Sequence, residues 1–129
     1  MSSYPDDCRY TKDHEWIRDD GGVYAVGITQ YAADQLGDVT YVELPEIDAE
    51  FKKGGAAGAV ESVKAASDIY CPVAGRVSEI NDDLEGQPEL VNTSPYDEGW
   101  FFRLVDVENA HVNALMNAAA YAKFVEGLG

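Results

Sequence analysis

Along most of the chain apolar and polar residues alternate in short runs separated by turn-forming clusters; beyond residue 107 the period lengthens to that of a helix. The alternation predicts strands over residues 10–18 and 23–28, joined by Asp19-Asp20-Gly21-Gly22, a composition suited to a hairpin turn. Thr29 stands where an N-cap belongs, which predicts a short helix over 30–36 stopped by Gly37. A strand over 39–44 ends at Pro45, and a loop over 46–55 closes on Lys53-Gly54-Gly55. Two short strands then follow, 59–63 and 67–73, with Lys64 between them. Pro72-Val73-Ala74-Gly75 turns into a strand over 76–80. Asn81-Asp82-Asp83 can cap a brief helical turn near Leu84, and 88–92 reads as a connection before an apolar strand at 100–105. From 107 to 128 the chain reads as helix. Val112, Leu115, Met116 and Ala119 make one apolar face, Asn117 splits the stretch by capping a second helix, and Gly127 lies near its end. Residues 1–9 read as a loose lead-in. The pattern alone thus predicts a mainly β chain with a C-terminal helix pair.

Size and composition narrow the function classes. A chain of 129 residues with 46% hydrophobic and 11% aromatic residues is expected to fold as a single domain, residues 1–129, around a real core. The net charge of −15 argues against nucleic acid, whose phosphates require clustered Lys and Arg, and against an anionic membrane surface. It favours partners with basic docking faces. No apolar run is long enough to span a bilayer. The start, Met1-Ser2-Ser3-Tyr4-Pro5-Asp6-Asp7, has neither the apolar centre of a signal peptide nor the arginines of a transit peptide. Cys8 and Cys71 form no CxxC pair and are expected as free thiols in a reducing compartment, the cytoplasm.

Independent catalysis finds little support. His14 and His111 are the only imidazoles, neither stands near the elements of a nucleophilic triad, and no Cys or His cluster has zinc-ligand spacing. His14-Glu15 lacks the second histidine of a metalloprotease helix, and Gly54-Gly55-Ala56-Ala57-Gly58 enters a strand, not a phosphate-cradling helix. No catalytic and no metal-ligating residues are therefore assigned.

Lys64 is what remains. By spacing alone it is a solvated lysine at a hairpin tip, flanked by Val63 and two alanines that shield it little. Its surroundings, Glu61-Ser62-Val63-Lys64-Ala65-Ala66-Ser67-Asp68, resemble the lipoyl-attachment motif of the glycine cleavage system H proteins. Four further blocks match in the same order. They are His14-Glu15-Trp16, Val26-Gly27-Ile28-Thr29 with Gln35-Leu36-Gly37-Asp38, Val42-Glu43-Leu44-Pro45, and Pro88-Glu89-Leu90-Val91-Asn92 leading to Ser94-Pro95-Tyr96 and Gly99-Trp100. Together they cover residues 10 to about 121.

The resemblance implies a lipoyl/biotinyl-type barrel-sandwich hybrid with added short helices, and lipoic acid in amide linkage on Lys64. It implies a carrier, not an enzyme. The arm would take the aminomethyl group from glycine decarboxylase (the P protein) to aminomethyltransferase (the T protein), and its dithiol would be reoxidised by dihydrolipoamide dehydrogenase (the L protein). A lipoylating enzyme would load Lys64, with Glu61 a candidate for its recognition. Positions matching Asp13, Glu15 and Asp68 are those where the loaded arm docks, and carboxylates there would favour an ammonium on the arm. The chain is expected to act as a monomer.

Three residues depart from the usual pattern. Asp13 replaces a serine seen in some members, Cys71 a Ser or Ala, and Gln35 an occasional histidine. Cys71 is expected as a small buried filler that could exchange with a dithiolane only if exposed. Gly58 and Gly75 flank the lysine hairpin where backbone freedom counts for more than a side chain. Other carriers fit less well. A 2-oxo-acid dehydrogenase lipoyl domain usually sits in a longer chain, and a biotin carrier would show methionines beside the lysine. An H-like lipoyl relay, or an unlipoylated interaction module outside glycine cleavage, is the alternative from another class.

Overall fold

A computed structural model of the chain describes residues 4–128. Strands β1 (Cys8–Tyr10), β2 (Glu15–Asp19) and β3 (Tyr24–Ile28) come first, then helix α1 (Gln30–Leu36) and β4 (Val39–Glu43). Next are β5 (Glu50–Phe51), β6 (Ala56–Ser62), β7 (Ala66–Tyr70) and β8 (Gly75–Ile80). Two one-turn helices, α2 (Asp83–Gly86) and α3 (Leu90–Thr93), lead to β9 (Phe102–Val105), α4 (Asn109–Asn113) and α5 (Ala118–Glu126). The strands form two antiparallel sheets, one of six in the order β1-β2-β3-β9-β8-β5 and one of three in the order β4-β6-β7. Neither closes into a barrel. The expected mainly β, sandwich-like architecture with added short helices is what the chain adopts.

Alternation along the strands builds the core. Ile17, Val26 and Leu104 of the larger sheet share one buried cluster with Val42, Val60 and Ile69 of the smaller sheet. The intervening residues, Trp16 and Ala25, face the other way and pack with Tyr10 and with Ala118 and Tyr121 of α5. The larger sheet is therefore apolar on both faces, with the C-terminal helix covering the second.

Several local expectations hold. Thr29 caps α1 by accepting the Ala32 N–H at 3.2 Å, and the Gly37 N–H closes the helix on Ala33 O at 3.1 Å. Asn117 caps α5 through the Ala120 N–H, and Gly127 follows its last turn. Asp19 Oδ1 accepts the N–H groups of Gly21 and Gly22, which fixes the hairpin turn.

Other expectations are corrected. The expected strand over 10–18 is two strands, because a tight turn at 11–14 leaves His14 with φ of 69°. Of the expected lead-in, residues 1–3 lie outside the described residues, while Cys8 and Arg9 belong to β1 and pair with β2. The loop at 46–55 contains β5, paired with β8, and the connection at 88–92 contains the start of α3. The lysine hairpin is longer on its first arm and shorter on its second: β6 begins at Ala56 and β7 ends at Tyr70. The C-terminal helices begin at Asn109, after a turn with Asp106 at φ of 60°. Ala119 is exposed, and Ala118 and Tyr121 are buried in its place. The turn near Leu84 exists as α2, but Asn81 does not cap it. Its amide donates instead to the carbonyls of Glu98 and Trp100. Gly58 and Gly75 have negative φ, and what each requires is space. A Cβ on Gly58 would stand 2.5 Å from the Glu43 carbonyl oxygen, and one on Gly75 2.8 Å from Val107 Cγ2.

Candidate functional site at the lysine hairpin

β6 and β7 pair with Glu61 opposite Ala66 and Ala59 opposite Asp68, leaving Val63, Lys64 and Ala65 as the tip. Ser62 makes that tip a defined structure. Its N–H donates to Ala65 O at 2.8 Å, and its hydroxyl oxygen accepts the N–H groups of Lys64 and Ala65 at 3.2 and 3.1 Å. The Val63 N–H donates to Asp38 O, which ties the tip to the segment between α1 and β4. The backbone is held while the side chains stand free: Val63 is 71% exposed and Lys64 is exposed. Among the described residues Lys64 forms no salt bridge, whereas Arg18, Arg76 and Arg103 are all paired with carboxylates.

The Lys64 stem leans over the end of α1. A Cβ on Gly37 would meet its Cε at 3.1 Å and its Nζ at 3.7 Å. Gly37 has φ of 76° and ψ of −157°, a region open essentially to glycine alone, so conformation and space both demand it. Asn92 fixes this corner by donating to Gly37 O at 2.8 Å and accepting the Val39 N–H at 2.9 Å. The sequence blocks thus meet in space: Asn92 supports Gly37, and Gly37 makes room for Lys64.

Next to this corner lies a cleft of about 310 Å³, lined among others by Asp13, His14, Gln35, Leu36, Asp68 and Ile69. Asp13 and Asp68 both line it, two of the three residues at which the resemblance puts the docked arm. Glu15 is placed differently. It is 2% exposed and lines a second cleft of about 380 Å³, with Lys12, Lys53 and Cys71. Its Oε1 accepts the Thr11 hydroxyl at 2.8 Å and its Oε2 accepts the Tyr70 N–H at 3.2 Å. Glu15 therefore straps the turn that carries Asp13 to the strand that carries Asp68. Glu61 is exposed on β6, three residues before Lys64, with the half-exposed ring of Tyr41 at the paired position of β4.

Burial pushes the Glu15 carboxyl up to about 7, the bonds from Thr11 and Tyr70 opposing it and Asp13 adding to it. A carboxyl with a raised folded-state pKa holds an extra proton in the fold, so its contribution is fullest below about 4.5 and is lost as pH rises through about 7. Glu15→Gln keeps the shape and does not titrate. Wild type minus Glu15→Gln stability is expected to decline across that window and level off above it, measured by urea denaturation at fixed ionic strength. A difference independent of pH would show that the carboxyl is not so shifted.

Cys71 is the expected buried filler. Its Sγ donates to Val73 O at 3.1 Å and burial pushes the thiol up to about 12. A protonated, buried thiol does not exchange readily, so exchange with a dithiolane has no support. Cys8 is also free and buried. Three contributors escaped the sequence reading. Ser62 could have been found as a hydroxyl three residues before the turn's end, a known turn signal. The capping rule gives Gly37 as a helix stop, not as the bed of the lysine. His14 belongs to a matching block and lacks the partners of a catalytic or metal residue, but nothing in the sequence puts it in the cleft.

Comparison with known proteins bears on this arrangement. The family model for the glycine cleavage H-protein matches residues 8–127. The glycine cleavage system H protein of Chromobacterium violaceum is 52% identical over 124 residues, covering 95% of this chain and 97% of that one. That of Listeria monocytogenes is 48% identical over 124 residues, covering 96% and 99%. The crystal structure of the H protein from Mycobacterium marinum superposes with a TM-score of 0.83 at 35% identity, over 93% of this chain and 97% of that one. With the lysine hairpin, the Gly37 corner and the two-carboxylate cleft in place, these matches settle the assignment: the chain belongs to the glycine cleavage H-protein family.

Proposed function

We propose that residues 1–129 are a single lipoyl-carrier domain of the glycine cleavage system, bearing lipoic acid in amide linkage on Lys64. One observation carries the reading. In a member of this family, an exposed lysine without an ion-pair partner among the described residues stands at the tip of a hairpin whose backbone is held by Ser62 and Asp38. An amine to be acylated must be reachable and free of a competing carboxylate, and the lipoylating enzyme must meet a fixed tip. The residues present fit such a group: Val63 and Ala65 leave the amine unshielded, and the cleft is lined by Leu36, next in the chain to the Gly37 on which the stem lies.

When bound, lipoic acid supplies a dithiolane that takes up the aminomethyl group and is restored through the dithiol. The chain presents, parks and steers. Ser62 and Gly37 hold the root of Lys64. Asp13 and Asp68 offer acceptors to an ammonium entering the cleft, while Glu15 sets their spacing from behind. Glu61, exposed near the lysine, is positioned for the lipoylating enzyme to read. No residue is assigned a catalytic role. Glycine decarboxylase, aminomethyltransferase and dihydrolipoamide dehydrogenase are the partners in this reading, met by a monomer in the cytoplasm. Among the described residues no helix is long and apolar enough to cross a membrane, and no group of three or more Cys, His, Asp or Glu is placed to hold a metal ion.

The test is reconstitution. Lipoylated protein added to glycine decarboxylase should release carbon dioxide from carboxyl-labelled glycine. Release at the level of unlipoylated protein would contradict the reading. Salt gives a second prediction. A net charge of −15 should steer encounter with basic docking faces, raising on-rates by about 10- to 1,000-fold at low salt, and screening shortens that reach to about 8 Å near 0.15 M. The decarboxylase KM for this carrier is expected to rise with salt while kcat changes less. A salt-independent KM would mean that the acidity serves solubility alone.

A further inference from the structure

His14 ends the turn between β1 and β2, and its half-buried ring packs against Tyr31, Tyr121 and Phe124 at centroid distances of 4.8, 5.8 and 5.8 Å. Its Nδ1 lies 2.7 Å from the Tyr121 hydroxyl oxygen, which lies 2.8 Å from Thr29 Oγ1. Three groups thus form one chain, from the cap of α1 through Tyr121 of α5 to the cleft.

The direction of the protons follows from what each oxygen already does. Thr29 is fully buried, and its Oγ1 accepts the Ala32 N–H. Its own hydrogen has one acceptor among the described residues, the Tyr121 oxygen. If Thr29 donates there, Tyr121 donates to Nδ1 and every hydrogen is used. If the chain ran the other way, the Thr29 hydrogen would be buried without a partner, which costs its desolvation with no bond in return. Nδ1 is therefore the bare nitrogen and the ring proton sits on Nε2. Among the described residues Nε2 has no hydrogen-bond partner, and the ring lines the cleft with Asp13 and Asp68.

We propose that the C-terminal helix, through Tyr121, holds His14 as its neutral Nε2–H tautomer, so that the cleft presents one fixed hydrogen-bond donor beside the Asp13 and Asp68 acceptors. His14 is then a binding residue for a neutral acceptor atom of whatever lodges in the cleft, and Tyr121 and Thr29 are positioning residues acting through it. The tautomer stands independently of the carrier reading. The identity of the docked group, the arm on Lys64, rests on that reading. The groups facing His14 are Asp13 on its own turn, Tyr31 on α1, Asp68 across the cleft on β7, and Tyr121 on α5. Burial lowers the imidazole pKa, with Asp13 opposing, which favours the neutral ring. The bond from Tyr121 favours the same state.

Imidazole ¹⁵N NMR of unlipoylated protein tests the relay. In the wild type Nδ1 should resonate as a hydrogen-bonded bare nitrogen, Nε2 as a protonated one, and the Tyr121 hydroxyl proton should exchange slowly. In Tyr121→Phe, Nδ1 should move to the unbonded range and the His14 pKa should rise, because a bond favouring the neutral form is gone. Thr29→Ser, which keeps hydroxyl and cap, should retain the wild-type signature. A protonated Nδ1 in the wild type overturns the proposal even if Tyr121→Phe fails to fold, and so do identical shifts and pKa in wild type and a folded Tyr121→Phe. In protein with Lys64 lipoylation verified by mass and taken through glycine turnover, the Nε2–H signal should shift, while Lys64→Arg treated alike should not. No shift there removes the donor role. Absence of lipoylation would instead overturn the carrier reading and leave the tautomer result standing.

Discussion

Lys64→Arg protein is expected to fold as the wild type does and to support no glycine cleavage, a fall to the level of an assay without carrier. Both halves follow from the hairpin. The side chain is exposed, enters no salt bridge among the described residues, and lies over Gly37. The tip backbone is held by Ser62 and Asp38, which the substitution leaves in place. Surface changes of this kind usually stay within about 0.5 kcal/mol. Arginine keeps the charge and most of the length, so the acidic surface that partners meet hardly changes. What it lacks is an amine that can be acylated. Carbon dioxide release from carboxyl-labelled glycine, beside a thermal melt of the same sample, measures both halves. Residual turnover above background in a well-folded Lys64→Arg sample would mean that Lys64 is not the attachment point.

The largest expected effect on stability belongs to Trp16. Its ring is fully buried on the second face of the larger sheet, against Tyr10, Ala25 and the residues of α5. It lies so close to β3 that a Cβ on Gly27 would stand 2.8 Å from the ring. Its Nε1 donates to Pro95 O at 2.9 Å, and the Arg18 guanidinium stands 5.0 Å from the ring centroid. Trp16→Ala removes the volume and the bond together. Substitutions of this class cost about 3–5 kcal/mol, against a total of about 5–15 kcal/mol for a domain. The protein is expected to lose much of its stability, with the C-terminal helix losing its packing first. Chemical denaturation followed by tyrosine fluorescence and circular dichroism measures it. A loss under about 1 kcal/mol would show that the second core contributes little.

Much of this architecture was legible because local chemistry and tertiary structure agree. Thr29 and Gly37 bracket α1 by capping rules alone, and Asn117 divides the last two helices by the same rule. The lysine hairpin is legible as two short strand-like arms with one lysine between them. What escaped depended on contacts far apart in sequence. β1 and β5 are short edge strands whose existence is decided by their partners, β2 and β8. The turn at 11–14 is set by Thr11, whose hydroxyl oxygen accepts the N–H groups of Asp13 and Glu15. A strand-like pattern hid it.

The site divides in the same way. Lys64, Asp13 and Asp68 could be named from motif residues, and the fold brings the two aspartates to one cleft. Glu15 could be named but not placed, because alternation along β2 says nothing about a buried carboxylate between Thr11 and Tyr70. The link from His14 to Tyr121 spans 107 residues and has no local signal.

The central claim is that Lys64, and no other lysine, carries the lipoyl group. Protein purified from its native host and digested with trypsin tests it most directly. The expected result is one lipoyl mass increment per chain, on the peptide containing Lys64, with Lys12, Lys52, Lys53 and Lys123 unmodified. An increment on any of those four, or lipoylation-competent cells that leave Lys64 bare, would contradict the account.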